Sequence, residues 1–163
     1  MNIKLRNMTS LYLVGEEALL CLYRIGSRVV SNKYIGSAGG HFNPSELNDP
    51  QACILREMEE ELNLKESDIE GLELRYITHR LLCEEIRQNY YFFARLKQPI
   101  HLISTEGTLH WIPYDQLPQL EMPVSAKHVI LHYLKTGRFT KDIYAGITEE
   151  TGTNFVAMRS FGE

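Results

Sequence analysis

The chain has 163 residues, 44% hydrophobic and 23% charged, with a formal net charge of −4. It is long enough to bury a core without disulfides or a structural metal, and its composition is that of an ordinary soluble protein. An acidic chain without a block of Lys or Arg is poorly suited to track nucleic-acid backbones, and no apolar run approaches membrane-spanning length, so neither a nucleic-acid polymer nor a membrane is an expected partner.

No early stretch combines a basic start, an apolar run and a small-residue cleavage site, so a cytoplasmic location is expected. Cys21, Cys53 and Cys83 are odd in number and lie in apolar surroundings, which reads as reduced core thiols. There is no internal repeat, low-complexity segment or linker, and residues 1–163 are read as one domain.

Thr9 to Val14 and Ala18 to Tyr23 read as two strands of a hairpin around Gly15-Glu16-Glu17. Arg24 follows the second strand directly, with Arg28 and Lys33 in the next loop. The segment Tyr34-Ile35-Gly36-Ser37-Ala38-Gly39-Gly40 is rich in glycines that permit close backbone approach to a ligand. Tyr34 could stack on a base and His41 could hydrogen-bond a phosphate; both suit packing roles as well.

A helix is predicted over Pro50 to Leu62. Asp49 supplies a capping carboxylate, proline at the first helical position gives up no needed donor, and Asn63 tolerates a left-handed C-terminal position. Leu55, Met58 and Leu62, with Ile54 alongside, recur at helical spacing and face a core. Glu57, Glu60 and Glu61 recur at i, i+3 and i+4, which gathers three carboxylates on another face. Neighbouring carboxylates repel one another and their pKa values rise unless a cation neutralises them. Hard oxygen ligands suit Mg²⁺, with Mn²⁺ as the alternative, and Mg²⁺ is characteristically shared between carboxylates and substrate phosphates. Taken alone, the run of acids is also compatible with a solvated helix face.

Downstream, Leu72 to Cys83 and Ile86 to Leu96 read as two long strands, the second carrying Tyr90-Tyr91-Phe92-Phe93 toward both faces of a covered sheet. Glu84 and Glu85 fall at the turn between them. An acidic loop at Glu106 enters a further strand ending in Trp111-Ile112-Pro113, with Trp111 read as a core anchor. Pro123 to Lys135 reads as a second helix, with Val129, Ile130, Tyr133 and Leu134 inward and Gly137 ending it. Two short strands around Thr148 to Gly152 close the chain.

The segment from Gly40 to Leu64 resembles the Nudix box of the MutT-like hydrolases, G-x5-E-x7-R-E-U-x-E-E-x-G-U, where U is bulky and apolar. Gly40 and Glu46 match its opening, Arg56 to Glu61 match R-E-U-x-E-E in full, and Leu64 fills the last apolar position. The chain departs from the pattern twice. Nine residues separate Glu46 from Arg56, a two-residue lengthening around Leu47 and Asn48, and Asn63 replaces the glycine. The Glu106 to Leu117 stretch also resembles the family's pattern downstream of the box.

The resemblance implies an α/β/α sandwich with a mixed sheet and a loop-helix-loop catalytic motif. It implies an Mg²⁺-dependent hydrolase that splits a phosphoanhydride in a nucleoside diphosphate linked to another moiety. A nucleoside triphosphate, oxidised or not, giving a monophosphate and pyrophosphate is the first expectation, and a nucleotide sugar or dinucleoside substrate the second. Glu57, Glu60 and Glu61 are the implied metal ligands, Glu57 or Glu106 the base, and Arg56 an organiser whose partner is Glu46 or Glu57. Arg24, Tyr34, Gly39, Gly40 and His41 are the implied substrate contacts. Glu121 to Ser125 lack the tryptophan or paired acids with which the oxidised-purine branch reads its base. A non-catalytic nucleotide-binding or regulatory module remains the alternative, and a homodimer is left open.

Overall fold

A computed structural model describes residues 2–26 and 31–159; Arg28 lies outside the described residues. Eight strands form one mixed sheet. They are β1 (Lys4–Val14), β2 (Ala18–Arg24), β3 (Lys33–Gly36), β4 (Ile69–Leu82), β5 (Glu85–Leu96), β6 (Gly107–Pro113), β7 (Tyr144–Thr148) and β8 (Thr153–Ala157). Helices α1 (Pro50–Leu62) and α2 (Val124–Lys135) occupy the two faces. The strand order is β3-β2-β1-β5-β4-β7-β8, with β6 on the other edge of β2.

The expected first hairpin forms, but only two residue pairs join its strands, Leu13 with Leu20 and Val14 with Leu19. The rest of β1, which begins five residues earlier than its apolar pattern indicates, runs parallel to β5 from Lys4–Glu85 to Leu13–Ala94. The segment after β3 lies along the free edge of β1, through hydrogen bonds from Leu11 N–H to Ala38 O and from Thr9 N–H to Gly40 O.

Period-2 alternation divides the core. Leu11, Leu13, Leu20, Phe92 and Ala94 face α1, where Ile54, Met58 and Leu62 cover them. Tyr12, Val14, Cys21, Tyr91 and Phe93 face α2, under Val129, Ile130 and Tyr133. Strands buried on both faces need apolar residues at odd and even positions alike, which explains the continuous apolar runs.

Three expectations change. The inward stripe of α1 is Cys53, Ile54, Met58 and Leu62, with Leu55 only half-buried at its margin. Cys83 is exposed, at positive φ in the β4–β5 turn, because a tight turn leaves no apolar layer above it. Trp111 is 46% exposed; it stands on β6, which among the described residues pairs with β2 alone, and its ring lies across Gly15. Among the described residues no helix is long and apolar enough to cross a membrane.

Met58 is buried to 1% exposure and fixes α1 to the sheet. Truncation there leaves a cavity beneath the helix, so Met58→Ala is expected to lower unfolding stability by about 2–5 kcal/mol, measured by urea denaturation.

Candidate active site

Helix α1 starts where its chemistry requires. Asp49 Oδ1 accepts from Ala52 N–H at 3.0 Å and Pro50 opens the first turn. It ends at Asn63, whose φ of +53° is left-handed and whose N–H donates to Glu59 O. Asparagine therefore takes the backbone geometry that glycine takes in the box, at a modest conformational cost.

Arg56 lies at the centre of the helix's polar face. Its Nε and Nη2 donate to the two carboxylate oxygens of Glu46 at 2.6 and 3.0 Å, and its Nη1 donates to Glu57 at 2.8 Å and Glu60 at 3.1 Å. Nη2 also donates to the carbonyl of His41 at 3.0 Å. Both suggested partners, Glu46 and Glu57, are thus engaged together. The lengthened loop does not move Glu46 away: a short 3₁₀ turn at Pro44–Glu46 brings it under Arg56, where it also accepts from Asn43 N–H. The Arg56 hydrogen bonds hold the Glu46 carboxyl at about 2. The same acids push the Arg56 pKa up.

Glu57 and Glu61 meet the glycine pair. Gly40 sits against the Glu57 carboxyl so closely that a Cβ there would lie 2.5 Å from its Cδ. Gly39 has φ +152° and donates its N–H to Glu61 at 3.2 Å. Burial raises the Glu57 pKa. Burial also raises Glu61, to about 7; the Gly39 N–H and Arg24 pull it down, and repulsion from Glu57 and Glu106 pushes it up. These two acids carry an electrostatic deficit that a divalent cation would relieve.

Glu106 lies beside that deficit, paired with Arg24 Nη2 at 3.1 Å. Arg24 and Gly107 are register partners on β2 and β6, so the sheet itself delivers the pair. Glu57, Glu61, Gly39, Gly40, Arg24 and Glu106 therefore form one neighbourhood, with Arg56 and exposed Glu60 at its rim. The side chains do not close around a point. Among the described residues no group of three or more acids, histidines or cysteines stands ready to hold an ion. Glu57 and Glu60 lean toward Arg56, and Glu61 toward Gly39. The donor set, hard carboxylate oxygens raised by burial, nevertheless has the chemistry of an Mg²⁺ or Mn²⁺ site.

Two expected contacts stand apart. Tyr34 packs on Tyr23, centroids 4.9 Å apart, on the α2 side of the sheet, whereas the acids belong to the α1 side. His41 turns its ring to Arg6, 2.7 Å from Nη2, and contributes its backbone carbonyl to Arg56. Lys33 is exposed opposite Arg24. Glu85 opens β5 and pairs with Arg87 and Arg6, away from the helix acids.

Sequence reasoning missed Cys53 and Thr9. Their side chains touch at 3.3 Å beneath Arg56, and Cys53 Sγ lies 3.8 Å from Arg56 Nη2. Cys53 stands one helical turn before Arg56, a spacing that was legible had the cysteine been read as helix floor.

The NUDIX domain model matches residues 6–133. Comparison with curated protein sequences finds no match. Among solved structures, the MutT protein of Bacillus halodurans is 18% identical with TM-score 0.65, covering 93% of this chain and 97% of its own. The MutT protein of Methanosarcina mazei is 15% identical with TM-score 0.66, covering 86% and 99%. A C. elegans Ap4A hydrolase is 14% identical with TM-score 0.64, covering 85% and 100%. These structures share the fold, a mixed sheet sandwiched by helices, and the family match spans most of the sequence. The chain belongs to the NUDIX domain family.

Proposed function

We propose that the chain hydrolyses a phosphoanhydride bond in a nucleoside diphosphate linked to another moiety, with a nucleoside triphosphate giving monophosphate and pyrophosphate as the first candidate. The observation that carries this reading is the convergence of Glu57 and Glu61 on the Gly39-Gly40 backbone, with Arg24 and Glu106 opposite. A side chain at Gly40 would occupy the space of the Glu57 carboxyl, so the glycine keeps the acids accessible to a ligand.

Glu57, Glu60 and Glu61 would hold Mg²⁺ or Mn²⁺, which neutralises charge on the phosphate oxygens and acidifies bound water. The remaining chemistry belongs to the protein. Arg24 exchanges its Glu106 partner for a substrate phosphate oxygen. This frees the Glu106 carboxylate to take a proton from the attacking water as the oxygen–phosphorus bond forms and the bridging oxygen leaves. Glu57 is the other acid within reach of this role. Arg56 holds Glu57 and Glu60 in register and leans on Glu46, which stays ionised down to about pH 2. Arg56 is a positioning residue.

Glu60→Gln is expected to lower turnover by orders of magnitude while leaving the melting temperature intact; near-normal release of phosphate or pyrophosphate from a nucleotide panel in Mg²⁺ would remove Glu60 from the metal set. Glu106→Gln is expected to lower kcat more than it raises KM, and a rise in KM alone would make Glu106 a binding residue.

Glu61 gives a pH test. Its folded pKa, about 7, lies above the usual carboxylate value, so the protonated form is favoured by folding. Its stabilising contribution is present at pH 4 and is lost as the pH rises through 7. Metal-free protein should therefore melt lower at pH 8 than at pH 5.5, and Mg²⁺ should raise the melting temperature more at pH 8. Glu61→Gln should flatten both dependences, read by differential scanning calorimetry with EDTA or Mg²⁺.

A further inference from the structure

Strand β4 carries two irregularities in its pairing with β5, one between Glu70 and Glu73 and one between Leu74 and Tyr76. Each inserts one extra residue on β4. The first contains Gly71, whose φ of +62° suits glycine. In the second, Tyr76 takes the place opposite Tyr91, and Arg75 is the residue left without a partner across the strands. Two consecutive residues thereby serve the α2 side together, because a bulge re-aims a side chain that alternation would send elsewhere. Arg75 reaches the segment after α2: its Nη2 donates to Gly137 O and Thr140 O, both at 2.7 Å, and its Nε donates to Asp142 O at 3.2 Å.

This guanidinium has no counter-ion. Arg75 is 6% exposed, yet no carboxylate pairs with it among the described residues, and its Nη1 makes no hydrogen bond there. The Asp142 carboxylate lies toward Arg159, 4.0 Å away. A buried charge held by carbonyl dipoles alone is costly to the fold, and an anion would offset that cost. Arg75 borders a cavity of about 560 Å³, the size of a small-molecule site.

The cavity gathers further cations. Arg95, two residues beyond Phe93 on the same face of β5, lines it, as do Arg138 and Lys141. None of these three forms an ion pair among the described residues. Glu70 and Glu73 share the wall, so four cations face two acids and the balance favours an anion of two charges. Arg138 is set in place: its guanidinium lies 5.0 Å over the Tyr114 ring and 4.5 Å over the Phe139 ring, and its Nε donates to Leu134 O at 3.0 Å. Phe139, 70% exposed at the same wall, offers a flat face that the core does not use.

This cavity is separate from the candidate active site. It lies on the α2 side, bordered by Phe93 and Tyr133, whereas the acids of α1 lie across the sheet. No residue assigned above to the metal, the base or the substrate contacts lines it.

We propose that the cavity is a second ligand site, which takes a phosphate monoester of an aromatic ring compound: the phosphate seats on Arg75, Arg95 and Arg138, and the ring lies on Phe139. Guanidinium forks match phosphate oxygens in pairs, and the dianion supplies the counter-charge that Arg75 lacks. A flat ring stacks on an aromatic face and on an arginine plane alike. The site goes beyond the hydrolase reading and does not depend on it, and no bond of its ligand is split there.

Phenyl phosphate, inorganic phosphate and benzyl alcohol are titrated calorimetrically into the full chain in EDTA. Without metal the acids of α1 repel anions, which suppresses binding at the candidate active site. Phenyl phosphate is expected to bind about tenfold more tightly than inorganic phosphate, and benzyl alcohol not at all. Arg95→Gln and Arg138→Gln should each weaken phenyl phosphate about tenfold and melt as wild type does without ligand. Phe139→Ala should bring phenyl phosphate down to the affinity of inorganic phosphate. Arg24→Gln should change neither, because Arg24 belongs to the other site. Arg75→Gln removes loop anchoring as well as charge, so the two exposed arginines carry the test.

No binding of phenyl phosphate to wild type, or binding that survives both Arg95→Gln and Arg138→Gln, would overturn the proposal. Loss of binding in Arg24→Gln would do the same by assigning the anion to the candidate active site. Equal affinity for phenyl phosphate and inorganic phosphate would also overturn it, leaving a site for a free anion only.

Discussion

One guanidinium governs the polar face of α1. Arg56 donates to Glu46, Glu57, Glu60 and the carbonyl of His41, so it ties the 3₁₀ turn, the helix and the glycine segment into one unit. A planar fork with fixed donor directions can hold several oxygens at set angles, which an ammonium group cannot do. The acids could not approach one another so closely without this cation among them, and the glycine backbone could not be pressed against Glu57 without the anchored helix.

The neutralisation is incomplete, and the shortfall is local. Glu46 is compensated by Arg56, whereas Glu57 and Glu61, set against Gly40 and Gly39, remain raised. Arg24 offsets part of the repulsion, but its closest contact is Glu106. The protein thus folds with charge left over at one spot, a pattern that marks sites where a ligand completes the electrostatics.

Local signals were the legible ones. The span Pro50–Leu62, its Asp49 start and its left-handed Asn63 end were readable because caps and helical periodicity act within a few residues. The strands of the β4–β5 pair and the second helix were readable from their apolar patterns for the same reason. What escaped was pairing at a distance. The hairpin pattern of β1 and β2 gave no sign that β1 spends most of its length against β5. Trp111 looked like an anchor because its neighbours are apolar, yet exposure depends on which layer stands above β6. The reach of Glu46 to Arg56 across a lengthened loop depended on a 3₁₀ turn.

The parallel alignment of β1 with β5 also sets an order of assembly. Leu5 pairs with Ile86 and Leu13 with Ala94, so β1, made before β5, has no long partner until some eighty residues later. Until then its apolar half, Leu11 to Val14, must wait on the short pairing with β2. Such high contact order slows folding and leaves an aggregation-prone edge open in the nascent chain. The β4–β5 hairpin, local and long, is the natural nucleus, and the glycine segment that rides on β1 becomes rigid only once that strand has docked.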